Sequence, residues 1–255
     1  MYMDTISSPE PWNDRQRLLV KDRGLERLAG AHVLVVGLGG VGGYAAEFLA
    51  RAAIGRLTLV DGDTVSVTNL NRQIAALHST LGKPKAQVIA DRLRDIRPDL
   101  ELTVLERFLE PEQAYDLADN SFDYVADCID SISPKLGLIR GCMDKNIPLV
   151  SAMGAGGRID PSAIRVADIS KSKNCPLARS IRKRLSQQTG RKPRGFYAVY
   201  SEELPDESSM RTVEGEQYKR SYYGTISYMP AAFGLHVAAH IVQELLGKQD
   251  LRPET

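Results

Sequence analysis

A glycine-rich turn after a short apolar run constrains the fold of this chain more than any other feature. The run, Val33 to Val36, is rich in β-branched residues, which is typical of a buried parallel strand. The glycines that follow it are Gly37, Gly39, Gly40 and Gly42. In this G-x-G-x-x-G spacing the missing Cβ atoms let backbone N–H groups approach a phosphate at a helix N-terminus. The pattern therefore predicts a strand–turn–helix unit that binds a nucleotide.

The sequence that follows this unit, up to Gln73, departs from the usual dinucleotide pattern. A second strand, Leu57 to Val60, ends in Asp61, where a carboxylate can bind ribose hydroxyls. Asp63 and the run NLNRQ, residues 69–73, then place a fixed cation and several amides beside the nucleotide. An NAD site needs little positive charge near its nicotinamide, whereas a triphosphate under attack needs cations. The sequence therefore favours ATP over a dinucleotide.

Strand and helix patterns alternate along the chain as far as residue 152. Strands are predicted at 32–37, 57–61, 101–106, 122–128 and 148–152, and helices at 13–30, 40–53, 111–118 and 134–145, with a further helix that ends before Pro98. This alternation predicts an α/β fold: a Rossmann-like, doubly wound and mainly parallel sheet with flanking helices. Ligands of such sheets bind at the carboxyl ends of the strands, so Asp61 and Asp130 are expected to converge on one site.

The sequence after residue 152 predicts an elaborated C-terminal part. Its predicted elements are a glycine-rich run at 153–158, a strand at 164–167, a basic segment at 171–194, a loop at 202–216, and a final helix that starts near Pro230 and ends before Gly247. Residues 1–12 are polar and proline-containing, and they are predicted to be a poorly ordered tail. Residues 13–255 are predicted to form a single domain.

Net charge, apolar runs and cysteine spacing limit which partners, compartment and metal sites are expected. The net charge is +1, so any nucleic-acid-binding surface must be local. The apolar runs fall short of the roughly 20 residues that span a bilayer, and the N-terminus lacks an apolar signal core, so a cytoplasmic protein without a membrane partner is expected. The cysteines are Cys128, Cys142 and Cys175, without a C-x-x-C pair. That spacing excludes a four-cysteine structural zinc site and predicts three free thiols.

Three side chains can each be interpreted in two ways. Arg72 can bind a phosphate or form a surface salt bridge. Lys85 lies near the start of a helix, where its charge opposes the helix dipole unless a phosphate offsets the penalty. Asp130 follows a buried strand and can hold Mg²⁺ or cap the next helix, although Ser131 or Ser133 can cap that helix instead.

Together these motifs resemble the family of ubiquitin-activating-type adenylating enzymes, which includes the molybdopterin and thiamine sulfur-carrier activators. The shared motifs are GLGGVG, Asp61 with Asp63, NLNRQ, GKPKA and the C-I-D-S strand end, over about residues 15 to 170 plus the C-terminal helix. The resemblance implies that residues 13–255 are an ATP-binding adenylating domain. It implies that Asp61 binds the ribose, that Asn71, Arg72 and Lys85 bind the phosphates, with Asp63 and Asn69 completing the site, and that Asp130 holds Mg²⁺. It also implies a homodimer in which Arg15 reaches the partner's triphosphate.

The predicted chemistry agrees with these residue types. A carboxylate that attacks the α-phosphate gathers negative charge, so cations and a metal must already be in place. The carboxylate is ionised at neutral pH and needs no general base. A site rich in Arg, Lys and Asp but without histidine is therefore sufficient.

Three stretches, residues 15–55, 151–169 and 175–190, look closer to one branch, the tRNA threonylcarbamoyladenosine dehydratases. That resemblance implies activation by ATP of the threonyl carboxylate of a modified adenosine beside the anticodon, followed by loss of water. The alternative is adenylation of the C-terminal glycine of a ubiquitin-like sulfur carrier, whose activators usually carry paired C-x-x-C zinc motifs. A third, non-enzymatic hypothesis is a nucleotide-binding redox sensor or scaffold.

The basic segment, residues 171–194, suits tRNA, since it carries nine Lys and Arg side chains and no acidic one. A helix from Pro176 would bury Leu177, Ala178, Ile181 and Leu185 and present Arg179, Arg182 and Lys183 outward; a solvated charged helix is the alternative. The tyrosines that can stack on an unpaired base or pack in the core are Tyr197, Tyr200, Tyr222 and Tyr223. Residues 220–234 contain no cysteine, which argues against a sulfur-relay partner and against covalent cysteine catalysis.

Overall fold

A computed structural model describes residues 12–212 and 221–247. The strands are β1 His32–Val36, β2 Arg56–Val60, β3 Glu101–Leu105, β4 Tyr124–Asp127, β5 Leu149–Ala152, β6 Ile164–Asp168, β7 Tyr197–Ser201, β8 Met210–Thr212 and β9 Ser221–Tyr223. The helices are α1 Asp14–Gly30, α2 Gly42–Arg51, α3 Lys85–Ile96, α4 Pro111–Leu117, α5 Ile132–Lys145, α6 Pro176–Thr189 and α7 Tyr228–Leu246. The predicted tail, residues 1–12, lies outside the described residues except for Trp12.

The larger sheet has seven strands in the order β3-β2-β1-β4-β5-β7-β6. Only β6 runs antiparallel to its neighbour, β7. The remaining pairings are parallel, so the predicted Rossmann-like, doubly wound and mainly parallel α/β sheet is confirmed.

Strand β1 shows why the sheet is covered on both faces. Val33 and Val35 pack with α1, α2, α3 and α7, whereas Leu34 and Val36 pack with α4, α5 and α6. Successive side chains of a strand point to opposite faces, so an apolar residue at every position requires helices on both sides. None of the described helices is long and apolar enough to cross a membrane.

The structure differs from the predictions mainly in the C-terminal part. Strand β7 and the hairpin of β8 and β9 were not predicted, and β8 lies within the predicted loop at 202–216, of which residues 213–216 are outside the described part. Helix α1 is interrupted at Lys21, whose φ is 60°. Leu18 and Leu19 are 68% and 76% exposed, so they do not share the buried face of Leu25 and Leu28 as an uninterrupted amphipathic helix would require.

Candidate active site

The glycine loop joins β1 to α2 and packs tightly on itself. Gly37 has a φ of +87°, and a Cβ there would lie 2.7 Å from the carbonyl oxygen of Cys128. A Cβ on Gly42 would lie 1.7 Å from the carbonyl oxygen of Gly37. Gly39 is open, since a Cβ there would meet nothing closer than Gln73 Nε2 at 3.6 Å. The loop therefore requires glycine at its base, and its open side leads to the N-terminus of α2, which suits an anion.

Asp61 is fixed against this loop at the carboxyl end of β2. Its Oδ2 accepts the N–H of Leu38 at 2.6 Å, and its Oδ1 accepts the N–H of Asp63 at 2.7 Å. Burial raises the pKa of Asp61 above its ordinary value, although both backbone donors and the Lys85 charge act in the opposite direction. The carboxylate is thus held in one orientation beside the glycine turn.

Lys85 is buried at the start of α3 and reaches the same edge. Its Nζ lies 2.8 Å from Asp63 Oδ2, and the exposed fractions of the two side chains are 6% and 53%. Its backbone N–H also donates to the carbonyl oxygen of Asp63 at 2.9 Å. The carboxylate of Asp63 therefore offsets the unfavourable placement of a cation at a helix N-terminus.

The polar run at 69–73 forms a turn beside the glycine loop. Asn69 is buried, and its Oδ1 accepts the N–H of Ser66 at 3.0 Å, so this side chain shapes the turn. Arg72 donates to the carbonyl oxygen of Thr68 at 2.7 Å and to Asn71 Oδ1 at 2.9 Å. Within residues 12–212 and 221–247, Arg72 forms no salt bridge, so its positive charge is positioned by neutral groups.

Asp130 lies on the loop after β4, next to the glycine loop. The preceding Cys128 carbonyl is the group that excludes a side chain at Gly37, so the two loops are in direct contact. Ser131 Oγ lies 3.4 Å from Asp130 Oδ1, and Ser131 is the N-cap residue of α5 without a side-chain capping bond. The structure thus brings Asp130 to the edge where Asp61 lies, as predicted.

The sequence prediction missed a buried ion pair under this loop. Lys135 Nζ lies 2.8 Å from Asp127 Oδ2, and neither side chain is exposed. An aspartate at the end of an otherwise apolar strand was the available signal, because a buried carboxylate requires a partner. Gln73 belongs to the run of amides predicted beside the nucleotide. Its Oε1 is buried without a hydrogen-bond partner among the described residues, and its Nε2 would lie 3.6 Å from a Cβ on Gly39.

Arg15 does not lie with these residues. Its neighbour Gln16 donates to the carbonyl oxygen of Ala52 at 2.8 Å, and the Trp12 ring lies 5.2 Å from the Arg97 guanidinium carbon. Ala52 follows the last turn of α2, and the length of α2 places it about 15 Å from the glycine loop. Arg15 is therefore at the opposite edge of its own sheet.

The basic segment only partly matches its prediction. Ala178, Ile181 and Leu185 are buried, as predicted, and Arg179 and Lys183 are exposed. The expectation for Arg182 was wrong: it is half-buried and donates to Ser172 Oγ, because the turn before α6 folds back against this side of the helix.

The tyrosines proposed for base stacking separate into two groups. Tyr200 is buried, and its hydroxyl donates to the carbonyl oxygen of Lys171. Tyr197 begins β7, with its ring centroid 4.2 Å from that of His240, at the edge of the sheet away from the glycine loop. Tyr222 is exposed on β9, and Tyr223 packs against Gly156 and Gly157. Only this second pair is near the candidate site.

A groove of 670 Å³ opens beside Asn71. Its other walls come from Gly157 to Ile159, from Glu203 and Leu204, and from Gly224 to Ser227. Asn71 joins it to the site, because its Nδ2 donates to the carbonyl oxygen of Thr225 at 2.9 Å. The groove and the turn that follows Asn69 are therefore in direct contact.

Cysteine chemistry is not favoured at this site. Burial raises the pKa of both Cys128 and Cys142 to about 12, which keeps them as thiols at neutral pH. All three cysteines are free.

Comparisons with known proteins show the family of this chain. The model of the ThiF family matches residues 13–255. The tRNA threonylcarbamoyladenosine dehydratase of Bacillus subtilis (strain 168) is 37% identical over 239 residues, covering 91% of this chain and 93% of that protein. The protein of the same name from Escherichia coli (strain K12) is 39% identical over 245 residues, covering 90% and 91%. A crystal structure of the E. coli enzyme in complex with ATP matches with a TM-score of 0.84 and 37% identity, covering 96% of this chain and 98% of that one.

Proposed function

Because this chain belongs to the ThiF family, we propose that it is an ATP-dependent enzyme that dehydrates N6-threonylcarbamoyladenosine in tRNA. The observation that carries the proposal is that Asp61, Lys85 and the turn that carries Arg72 all lie beside one glycine loop. Relatives named for this reaction match about nine-tenths of the chain, including the C-terminal elements beyond the nucleotide half. The alternative from the sequence, a sulfur-carrier activator, has less support, because a relative named as a ThiS adenylyltransferase matches only 53% of the chain.

The chemistry begins at the α-phosphate of ATP. An oxygen of the threonyl carboxylate attacks the phosphorus, the bond to the β-phosphate oxygen breaks, and pyrophosphate leaves. A nucleophilic atom of the carbamoyl group of the substrate then attacks the activated carbonyl carbon, releases its proton to solvent and closes the ring. AMP leaves with the carboxylate oxygen, so the tRNA has lost the elements of water. The protein supplies orientation and positive charge, and no protein nucleophile is required.

Each site residue has a proposed role in this reaction. Asp61 accepts the ribose hydroxyls, and the loop from Gly37 to Gly42 receives the phosphates. Arg72 and Lys85 stabilise the charge that develops on the phosphates, and Asn71 lies between the nucleotide and the groove. Lys85 is already deprived of water, so its interaction with a phosphate is stronger than that of an exposed lysine.

We also propose that Asp130 holds Mg²⁺. Among the described residues, no group of three or more His, Cys, Asp or Glu side chains could hold a metal ion. Mg²⁺ fits nonetheless, because it is commonly bound by one or two carboxylates together with substrate phosphates and waters. When bound, Mg²⁺ supplies positive charge at the phosphate oxygens.

We propose a homodimer in which Arg15 serves the partner's site, since it is remote from its own. Mixing the inactive variants Asp130→Ala and Arg15→Ala tests this directly. One site of each mixed dimer keeps both residues, so random exchange is expected to restore about a quarter of the wild-type activity. If the mixture stays inactive although subunit exchange is verified, Arg15 does not act across a dimer.

The RNA is proposed to contact the exposed cations of α6, Arg179 and Lys183, so that the modified adenosine enters the groove beside Asn71. We propose that the reaction takes place in the cytoplasm, where ATP and tRNA are available and free thiols persist.

The test is nucleoside analysis of tRNA after incubation with the protein and ATP. The expected result is a product lighter than threonylcarbamoyladenosine by one water, formed with ATP and absent with Asp130→Ala. A parallel incubation offers a ubiquitin-like sulfur carrier instead of tRNA. Adenylation of the carrier alone, with unchanged tRNA, contradicts the proposal. Thermal stabilisation by NAD but not by ATP with Mg²⁺ supports the non-enzymatic hypothesis.

A further inference from the structure

We propose that the buried pair of Asp127 and Lys135 positions Asp130 for Mg²⁺ without touching the metal or the nucleotide. The inference rests on the proposed function, because it assigns the Mg²⁺ role to Asp130. It adds two positioning residues that belong to no nucleotide-binding motif of the chain.

The pair holds the peptide groups immediately before Asp130. Asp127 Oδ1 accepts the N–H of Ile129 at 3.1 Å, and Lys135 Nζ donates to the carbonyl oxygen of Ile129 at 2.9 Å. The peptide unit on each side of Ile129 is therefore anchored by one member of the pair. The carbonyl of Ile129 belongs to the peptide that leads into Asp130, so its orientation limits where the carboxylate of Asp130 can lie.

Asp127 is in turn fixed from the other side. Its Oδ2 accepts Ser151 Oγ from strand β5 at 2.6 Å and lies 2.8 Å from Lys135 Nζ. Asp127, Lys135 and Ser151 are all fully buried. The loop that carries Asp130 is thus tied to β5 and α5 beneath it, while its Cys128 carbonyl is pressed against Gly37.

Stability alone does not account for such a pair. Removing two charges from water costs several kcal/mol for each ion, and replacing a buried pair by apolar residues of similar size is often neutral or stabilising. Here both ions hydrogen-bond to a single residue, Ile129, and that residue precedes the proposed metal ligand. Partners of metal ligands typically change metal affinity or activity by about 10–100-fold when they are altered.

The double variant Asp127→Asn with Lys135→Met tests the inference. It removes both charges, which spares the fold an unpaired buried ion, yet it leaves the Ile129 carbonyl without its donor. The readout is ATP binding by calorimetry as a function of Mg²⁺, with binding in EDTA as the reference. We expect the Mg²⁺-dependent gain in ATP affinity to fall about tenfold or more, with binding in EDTA unchanged.

Two further variants keep the result interpretable. Ser151→Ala removes one hydrogen bond from Asp127, so a smaller loss of the same kind is expected even if the double variant fails to fold. Arg97→Met removes a buried cation that donates to the Ile54 carbonyl at 2.7 Å, at the opposite edge of the sheet, and should leave the Mg²⁺ response unchanged.

A wild-type Mg²⁺ response in both the double variant and Ser151→Ala overturns the inference. An equal loss in Arg97→Met does so as well, because the effect is then general destabilisation. The proposed function is decided separately, by whether the wild-type protein converts tRNA. Failure there leaves the binding comparison intact.

Discussion

Two aspartate–lysine pairs lie at the carboxyl ends of strands on either side of β1, and they differ in burial rather than in geometry. Asp63 with Lys85 follows β2, and Asp127 with Lys135 ends β4. In both pairs the lysine Nζ lies 2.8 Å from the aspartate Oδ2. The Asp63 side chain is 53% exposed, whereas Asp127 and Lys135 are 0% exposed.

The comparison shows how one ion pair can be exchangeable and another fixed. The half-exposed Asp63 stays hydrated without its lysine, and a phosphate can replace it as the counter-charge of the buried Lys85. Separating Asp127 from Lys135 would leave an unpaired charge in the interior, which is strongly unfavourable. We infer that Lys85 of the first pair is available to the phosphates. The second pair fixes the loop that carries Asp130.

The largest effect should come from Lys85→Met. Loss of a cation aimed at the phosphates is expected to lower kcat by about 10²–10³-fold, or about 3–4 kcal/mol. The free energy of unfolding should change little, because Asp63 remains in contact with water. Steady-state kinetics and urea unfolding measure the two quantities. Asp63→Asn is the matched control, because it keeps the Lys85 cation and should keep most of the activity. A loss equal to that of Lys85→Met would mean that the ion pair, rather than the cation, is required.

The free energy of unfolding should depend more on the buried pair of Asp127 and Lys135 than on the pair of Asp63 and Lys85. Lys135→Met leaves the buried carboxylate of Asp127 without its partner, so it is expected to lower the free energy of unfolding by about 3 kcal/mol. Lys85→Met leaves the half-exposed Asp63 in contact with water, so it should lower the free energy of unfolding by less than about 1 kcal/mol. Urea unfolding of both variants decides the matter, and equal losses would mean that burial does not separate the two pairs.

The pH dependence should report on Asp61, which lies between the glycine loop and the exchangeable pair. Burial raises the pKa of Asp61, so this carboxylate takes up a proton at higher pH than an ordinary aspartate. In its proposed role Asp61 accepts the ribose hydroxyls more strongly when it is ionised, so kcat/KM for ATP should fall as the pH drops through that raised pKa. The variant Asp61→Asn should be weaker and lack this acid limb in a pH–rate profile.

The same pKa shift has a defined sign for folding. Between the ordinary and the raised pKa the native state binds more protons at Asp61 than the unfolded chain does. Its contribution to the free energy of unfolding therefore declines as the pH rises through that window. In the pH–rate profile for ATP, an acid limb that persists unchanged in Asp61→Asn would mean that a group other than Asp61 causes that limb.

The smallest effect should come from the exposed cations of α6, Arg179 and Lys183, because salt screens their charges. Lys183→Gln is expected to weaken tRNA binding a few-fold and to reduce the salt slope by about one unit. Lys173→Gln is the matched control, because Lys173 is already paired with Glu202 at 2.9 Å. Equal changes in both variants, measured as binding against salt concentration, would remove α6 as a specific RNA-contacting face.

The sequence was most predictive where the chemistry is local. The glycine loop and Asp61 lie within one strand–turn–helix–strand unit, so spacing alone predicted their positions. The bond between Arg182 and Ser172 could not be predicted, since it depends on how the turn before α6 folds back. Strand β7 was missed for a related reason: it pairs with β5, which is remote in sequence.

The buried pair was missed because no sequence motif links its members. Asp127 ends a strand and Lys135 lies one loop later on α5, and their meeting depends on the path of that loop. Helical and strand periodicity identify buried positions, but they do not say which buried charges meet. For this reason the residues proposed to bind the nucleotide could be named from the sequence, whereas the groups proposed to position them could not.

Isotope transfer tests the central claim, activation of a substrate carboxylate at the α-phosphate of ATP. The substrate would be tRNA whose threonylcarbamoyladenosine carries ¹⁸O in its carboxylate, and the nucleotide and phosphate products would be analysed by mass spectrometry. If the carboxylate attacks the α-phosphate, one ¹⁸O appears in AMP and none in pyrophosphate. Label in inorganic phosphate together with ADP, or dehydrated tRNA with unlabelled AMP, would contradict it.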